Sequence, residues 1–259
     1  MNIVVCVKYV PDAQSDRTFS DDKTTDRAGV DGLLSELDEY AVEEALKLVE
    51  AGEGEVTVVT IGPDEAAEAV KKALQMGADK GVHISDDAIH GSDAVATSLL
   101  LAEAIKKIGQ PDLILTGMGS TDGLMNIVPT MVAERLGLPA VTLVSSLEVN
   151  GSTVTGRRDG DTASETIEAS LPALVSVTDQ TNEPRYPSFK GIMAAKKKPV
   201  ETWSLGDLGV DAGQVGLNNA WVQVESFEAR PPREQGQVVT DEGDGGTKLA
   251  EFLSTHKFV

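Results

Sequence analysis

The stretch Thr116–Gly123 reads TGMGSTDG, and its glycines would let backbone N–H groups approach a phosphate where a strand feeds the N-terminus of a helix. It is not a dinucleotide fingerprint: Gly117 and Gly119 fit G-x-G, but the third glycine position is Asp122. A P-loop would need Gly-Lys-Ser/Thr. Ser120, Thr121 and Asp122 suit helix capping as well as ligand contact. Other chemistry is sparse. His83, His90 and His256 fall on a strand, a loop and the tail, which leaves little for a Ser-His-Asp or metal arrangement. Glu43-Glu44 and Asp86-Asp87 sit in a chain where acidic neighbours are common, and they read as solvated faces. Cys6, at the end of an apolar run, reads as a small packing residue rather than a nucleophile. As the lone cysteine it excludes an intramolecular disulfide and a cysteine-based zinc site. Lacking a convincing acid, base or nucleophile, the chain suits binding or carrying better than catalysis.

The 259 residues hold 22 Lys+Arg against 42 Asp+Glu, a net charge of −20. That field repels phosphate backbones and anionic lipid, so nucleic acid is a poor partner. It also suits a surface adapted to high salt. No apolar run approaches the roughly 18 residues of a membrane helix. The first ten residues read as a strand rather than a signal peptide, so the expected compartment is the cytoplasm, without direct membrane insertion.

The elements that must position the glycine loop come from the first two thirds, where short β-branched runs alternate with longer helical periods. Strands are expected at Asn2–Lys8, Glu55–Ile61, Lys80–Ile84, Asp112–Thr116 and Ala140–Leu143. Helices are expected over Asp38–Ala51, from Pro63-Asp64 to Met76, from Ser92-Asp93 to Gly109, and from about Met125 to Leu136. This is a doubly wound α/β pattern with a mostly parallel sheet, and its ligand site lies beyond the carboxyl ends of the strands where the topology reverses. That rule nominates Cys6-Val7-Lys8, Ile61-Gly62 and above all Thr116–Gly123. After Leu143 the period changes to two, with Asn150-Gly151 as a hairpin turn, so Ser146–Val149, Ser152–Thr155, Thr162–Ala169 and Ala173–Thr178 read as added antiparallel strands that extend or flank the sheet.

From Asp179 to about Val200 periodicity is lost. This stretch carries Arg185, Lys190, Lys196, Lys197 and Lys198 together with three prolines. The segment from about Glu225 holds Pro231-Pro232, a Gly/Asp-rich stretch and a short amphipathic helix over Thr247–Leu253, which reads as an extended C-terminal arm. We therefore expect an α/β domain over residues 1–224 and an arm over 225–259.

The run Asn182-Glu183-Pro184-Arg185-Tyr186, followed by Ile192-Met193 and Ala195-Lys196-Lys197-Lys198, resembles the characteristic stretch of electron transfer flavoprotein β subunits. Further blocks agree in order: Val7-Lys8 with Val10-Pro11-Asp12, Ala41-Val42-Glu43-Glu44-Ala45, Gly62-Pro63, Ala73–Asp79, Leu171-Pro172-Ala173 and Asp207-Leu208-Gly209-Val210. The resemblance implies a fold of adenine-nucleotide α-hydrolase-like type and a heterodimer. An α subunit would hold most of the redox-active FAD, and the β chain would bind AMP structurally, or a second FAD in bifurcating relatives. The function implied is electron carriage, not catalysis, from acyl-CoA and other dehydrogenases of fatty acid oxidation towards a quinone-linked oxidoreductase.

By the same resemblance, nucleotide contacts come from Cys6, from Ser35, Glu36, Leu37 and Asp38, from Ile61, and from a loop. That loop comprises Gly117, Met118, Gly119, Ser120, Thr121, Asp122, Gly123, Leu124, Met125, Asn126, Ile127 and Val128. Ser35 stands where the family often has Asn. Met118 to Thr121 depart from the family's usual Lys or Arg, Gln, Ala and Ile, whereas Asp122 keeps the family acid and Asn126 resembles the AMP-binding members. Ala13 replaces an aromatic that in some relatives approaches the α subunit's flavin. The basic stretch corresponds to a recognition loop, with Arg185, Tyr186, Pro187, Ser188, Lys190, Ile192 and Met193 around Phe189 as apolar anchor. The alternative for Phe189 is packing on its own domain, and Lys196–Lys198 suit either steering or a structural contact to the α subunit. Two rival readings use the same strand ends. An ATP-using enzyme would want a Ser-Gly-Gly-x-Asp-Ser-type loop where this chain has Cys6-Val7-Lys8-Tyr9, and a homodimeric stress protein would leave the hairpins and arm without use.

Overall fold

The computed structural model describes residues 1–233, 235–236 and 238–259, so Glu234 and Gln237 of the expected arm lie outside the described residues. The chain divides into two units, Met1–Glu225 and Ser226–Val259. In the first, β1 (Asn2–Cys6) leads to a short antiparallel pair, β2 (Tyr9–Pro11) and β3 (Gly32–Leu34). Helix α1 (Glu36–Ala51) follows, then β4 (Glu55–Ile61), α2 (Ala67–Met76), β5 (Lys80–Ile84), α3 (Ala94–Ile108) and β6 (Leu113–Gly117). Glycines end these helices: Gly77, Gly109 and Gly137 adopt φ of 149°, 135° and 66°. At the other end of α3, the Asp93 carboxylate accepts hydrogen bonds from Val95 N and Ala96 N.

Helix α4 (Val128–Leu136) starts three residues later than the expected Met125. Leu124 and Asn126 sit at φ of 53° and 55°, which is incompatible with a right-handed helix, so the chain stays a loop until Pro129 enters the first turn. Beyond it come β7 (Ala140–Val144), β8 (Ser146–Asn150), β9 (Thr153–Asp159), β10 (Ser164–Ser170) and β11 (Ala173–Val177). The antiparallel expectation holds for β8–β10, which form a separate three-stranded sheet. It fails for β11, which lies parallel between β6 and β7 in the main sheet. All five of its residues are buried, and a strand covered on both faces has no period-two pattern to show. The stretch read as irregular contains α5 (Phe189–Ala195) and ends in β12 (Val200–Trp203), followed by α6 (Leu205–Leu208).

Among the described residues the main sheet is seven-stranded and parallel throughout, in the order β12-β5-β4-β1-β6-β11-β7. Alternation along the strands divides the core in two. Val5, Val58, Leu115 and Val175 face α1 and α2 through Ala41, Ala45, Val70 and Leu74. Val4, Val59, Ile114 and Leu174 face α3 and α4 through Leu100, Ile105 and Val132. The chain winds outward from β1 through β4 to β5, then returns to place β6 on the other side of β1, so the direction reverses between β1 and β6. The second unit carries α7 (Gly245–Thr255), longer than the expected Thr247–Leu253, with the Asp241 carboxylate accepting from Gly243 N and Gly245 N just before it and Phe252, His256 and Phe258 grouped at its end. No helix among the described residues is long and apolar enough to cross a membrane.

Candidate functional site

The reversal between β1 and β6 brings three expected segments together: Cys6 to Lys8 after β1, Ser35–Asp38 at the start of α1, and the loop after β6. Contact is close. A β-carbon on Gly117 would lie 2.6 Å from both Leu37 O and Asp38 Oδ1, so only glycine lets the strand end meet the helix start. On Gly119 it would overlap Asn126 Oδ1, at 1.8 Å.

Asp38 is buried, and its carboxylate accepts from Lys8 N at 2.8 Å. Burial lifts its pKa to about 7, against the pull of the backbone N–H and charge of Lys8 and the N–H of Gly117. The native state therefore keeps a proton that the unfolded chain releases near its ordinary value of 3.8. This group's contribution to stability is full below that value and is lost as pH rises towards about 7. A carbon-detected titration of the Asp38 carboxyl should find its midpoint near 7, and a midpoint below about 5 would contradict this charge assignment. Cys6, against the same carboxyl, is buried, and desolvation followed by the Asp38 charge pushes its thiol to about 12, which leaves it an inert packing group.

Asp122 behaves in the opposite way. Its side chain is 0% exposed and accepts from Lys8 Nζ at 2.8 Å and from Arg27 Nε and Nη2 at 3.0 and 2.7 Å. Burial raises its pKa, but the charges of Lys8 and Arg27 outweigh that and hold the carboxyl well below the usual range, so its contribution to stability is lost only as pH falls beneath that range. Arg17 donates to the neighbouring Thr121 O. Among the described residues, two hydroxyls here have no hydrogen-bond partner: Ser35 Oγ and Thr121 Oγ1 are both buried and unbonded. A serine at a helix N-cap ordinarily accepts from the first-turn N–H groups, but Ser35 does not. An adenine nucleotide fits these features, since it offers polar groups to two orphaned hydroxyls and an anion to a loop gathered by Lys8, Arg17 and Arg27.

The remaining expected contacts divide. Ile61 ends β4 beside β1, and Met118 to Thr121 are half-buried, whereas Glu36 and the run Gly123 to Ile127 are exposed, with Leu124 at 71%. Sequence reasoning missed Arg17 and Arg27. The available signal was a run of basic residues, Arg17, Lys23 and Arg27, within the acidic segment between the first strand and the first helix.

The basic stretch also divides. Arg185 turns inward: Nε and Nη2 donate to Glu43 at 2.7 and 3.0 Å and Nη2 to Glu50 at 2.9 Å, while Asn182 Nδ2 donates to Tyr40 O and Glu44 Oε2. Lys198 Nζ donates to Leu74 O and Gly77 O at the end of α2, so it is a structural contact within this chain. Between these anchors Tyr186 and Phe189 are 91% and 80% exposed, with Ile192 and Met193 partly so and Lys190 open to solvent. Packing of Phe189 on its own domain is not what the chain does. The Ser188 hydroxyl caps α5 by accepting from Gly191 N at 3.0 Å, which holds Phe189 at the helix start.

Residues 22–208 match the family model described as the electron transfer flavoprotein domain. The chain is 47% identical over 264 aligned residues to the electron transfer flavoprotein subunit beta of Mycobacterium leprae (strain TN), covering 100% of this chain and 99% of that one. It is 39% identical over 255 residues to the subunit of the same name from Syntrophomonas wolfei subsp. wolfei, covering 98% and 96%. Subunit CarD of the caffeyl-CoA reductase-Etf complex of Acetobacterium woodii is 36% identical over 241 residues, covering 93% and 92%. A glycine loop at the strand ends and an outward aromatic loop, carried on a chain similar to β subunits from end to end, thus have one common explanation: the chain belongs to the electron transfer flavoprotein family, as a β subunit.

Proposed function

We propose that this non-catalytic carrier subunit pairs with an α subunit, binds AMP at the β1/β6 reversal, and presents residues 186–193 to acyl-CoA and other dehydrogenases. The reading is carried by the two buried, unbonded hydroxyls of Ser35 and Thr121 on the segments that flank the reversal. Ser35 and Thr121 would bond the nucleotide, Gly117 and Gly119 would let the loop close on Leu37, Asp38 and Asn126 beside it, and Lys8 would supply positive charge in a chain of −20. FAD held mainly by the α subunit would supply the redox chemistry between the dehydrogenases and a quinone-linked acceptor. The strand order around β1 supports an adenine-nucleotide α-hydrolase-like domain. We assign α-subunit contact to the C-terminal unit because Leu249, Phe252 and Phe258 on and after α7 are exposed there.

Acid extraction of the co-expressed heterodimer, with mass identification, should release one AMP and one FAD. Two FAD would replace this reading with the bifurcating form, and FAD alone would remove the nucleotide site. Gly117→Val should lose nearly all AMP, because the added side chain meets the backbone oxygen of Leu37. Gly123→Val should keep it, because a β-carbon there meets only Ser120 Oγ, at 3.1 Å.

A further inference from the structure

Residues 12–31 link β2 to β3 and so join the two segments that flank the proposed nucleotide, Cys6 to Lys8 and Ser35–Asp38. They do not simply turn back. Near the tip, Asp22 Oδ2 lies 2.6 Å from His90 Nε2, in the loop after β5, and Lys23 Nζ donates to Glu225 O at 2.5 Å. Arg27 meanwhile holds Asp122, and Arg17 holds Thr121 O, both in the loop after β6. In the sheet β5 and β6 are separated by β4 and β1. A segment tied to the ends of both spans three strand spacings, roughly 14 Å, across the carboxyl ends between them. Its sequence, DAQSDRTFSDDKTTDRAGVD, is almost wholly polar, so closure depends on these charged clasps more than on buried apolar surface.

We propose that residues 12–31 form a strap over the nucleotide crevice, and that strap closure and AMP binding are one linked equilibrium. Arg27 and Arg17 are positioning residues that act through Asp122 and Thr121. The proposal rests on the nucleotide reading above. Arg27 fixes the Asp122 carboxylate in a two-bonded grip and Arg17 fixes the carbonyl of the adjacent residue, so the unbonded Thr121 hydroxyl is placed only while the strap is shut. Linkage then requires that whatever AMP adds to closure, closure adds to AMP binding.

The test uses the heterodimer stripped of nucleotide, with AMP as probe. Calorimetry gives the AMP affinity, and mass-mapped tryptic cleavage after Arg17 and Lys23 reports strap opening. AMP should slow cleavage at both sites by about tenfold in the wild type, towards the lower end of the usual range for coupled sites. Arg27→Gln should weaken AMP binding by about the same factor and leave the strap cleavable at AMP concentrations that protect the wild type, with partial rescue in Arg27→Lys. If Arg27→Gln does not assemble, Arg17→Gln, scored by AMP affinity and by cleavage after Lys23, decides in the same way. Unchanged cleavage on adding AMP, or wild-type affinity in these variants, would overturn the strap while leaving the nucleotide reading intact. A stripped wild-type heterodimer that takes up no AMP would overturn both.

Discussion

Phe189→Ala should lower dehydrogenase-dependent reduction of the heterodimer's flavin by roughly 30- to 1,000-fold, the equivalent of about 2–4 kcal/mol of docking energy for a central anchor. The melting temperature should stay within a degree or so of wild type. Both expectations follow from the position of the ring: it is 80% exposed at the first residue of α5, and the chain buries little of it. The helix beneath it is fixed before any partner arrives, since Ser188 caps it, and a β-carbon on Gly191 would lie 2.4 Å from Gln75 O in α2. An anchor held this way loses little conformational freedom on docking. Dithionite reduction is the control for an intact flavin. A large fall in melting temperature with unaltered dehydrogenase-dependent rates would reject the anchor.

Arg185→Ala, four residues away, should do the reverse. Its guanidinium is shared between Glu43 and Glu50 on α1, and Glu43 is itself buried. Removing the arginine strands a buried carboxylate without its counter-charge, which costs on the order of 3–5 kcal/mol in comparable settings. Because Glu50 is more exposed and water reaches part of the site, the lower end of that range is expected. Thermal unfolding of the heterodimer should shift down by several degrees, and dehydrogenase-dependent rates measured well below the transition should fall less than in Phe189→Ala. A variant with normal melting but lost rates would return Arg185 to the docking surface.

Local signals account for much of the fold. Glu55–Ile61 matches its expected ends because Val56–Ile61 is a β-branched run set between Gly54 and Gly62-Pro63. Gly77, Gly109 and Gly137, with Asp93, mark helix ends by mechanisms that act within a few residues. The failures are non-local. β11 becomes an interior strand because β6 and β7 cover its two edges, and nothing within Ala173–Val177 announces those neighbours. The site shows the same limit. The glycine loop and the residues ahead of α1 are readable, but Arg27 and Lys8 meet Asp122 across 95 and 114 residues, and an ion pair of that span leaves no spacing to find. Arg185 and Lys198 belong to a basic cluster in sequence, yet the fold uses them on α1 and α2.

The same strand order sets a timetable for synthesis. β1 is the middle strand of the main sheet, paired with β4 on one side and β6 on the other, yet β6 begins at Leu113. When about a hundred residues have left the ribosome, the nascent chain holds β1, β4 and β5, with one edge of β1 open and the outer edge of β5 unpaired until Val200–Trp203 appears. The open β1 edge is an apolar β-branched strand, the kind that templates intermolecular pairing, and the β5 edge leaves its backbone unpaired with Val82 and Ile84 as its β-branched residues. At roughly 5–20 residues per second, the β5 edge waits several seconds to tens of seconds for its partner, so the quality of the finished protein depends on what shields an unfinished one.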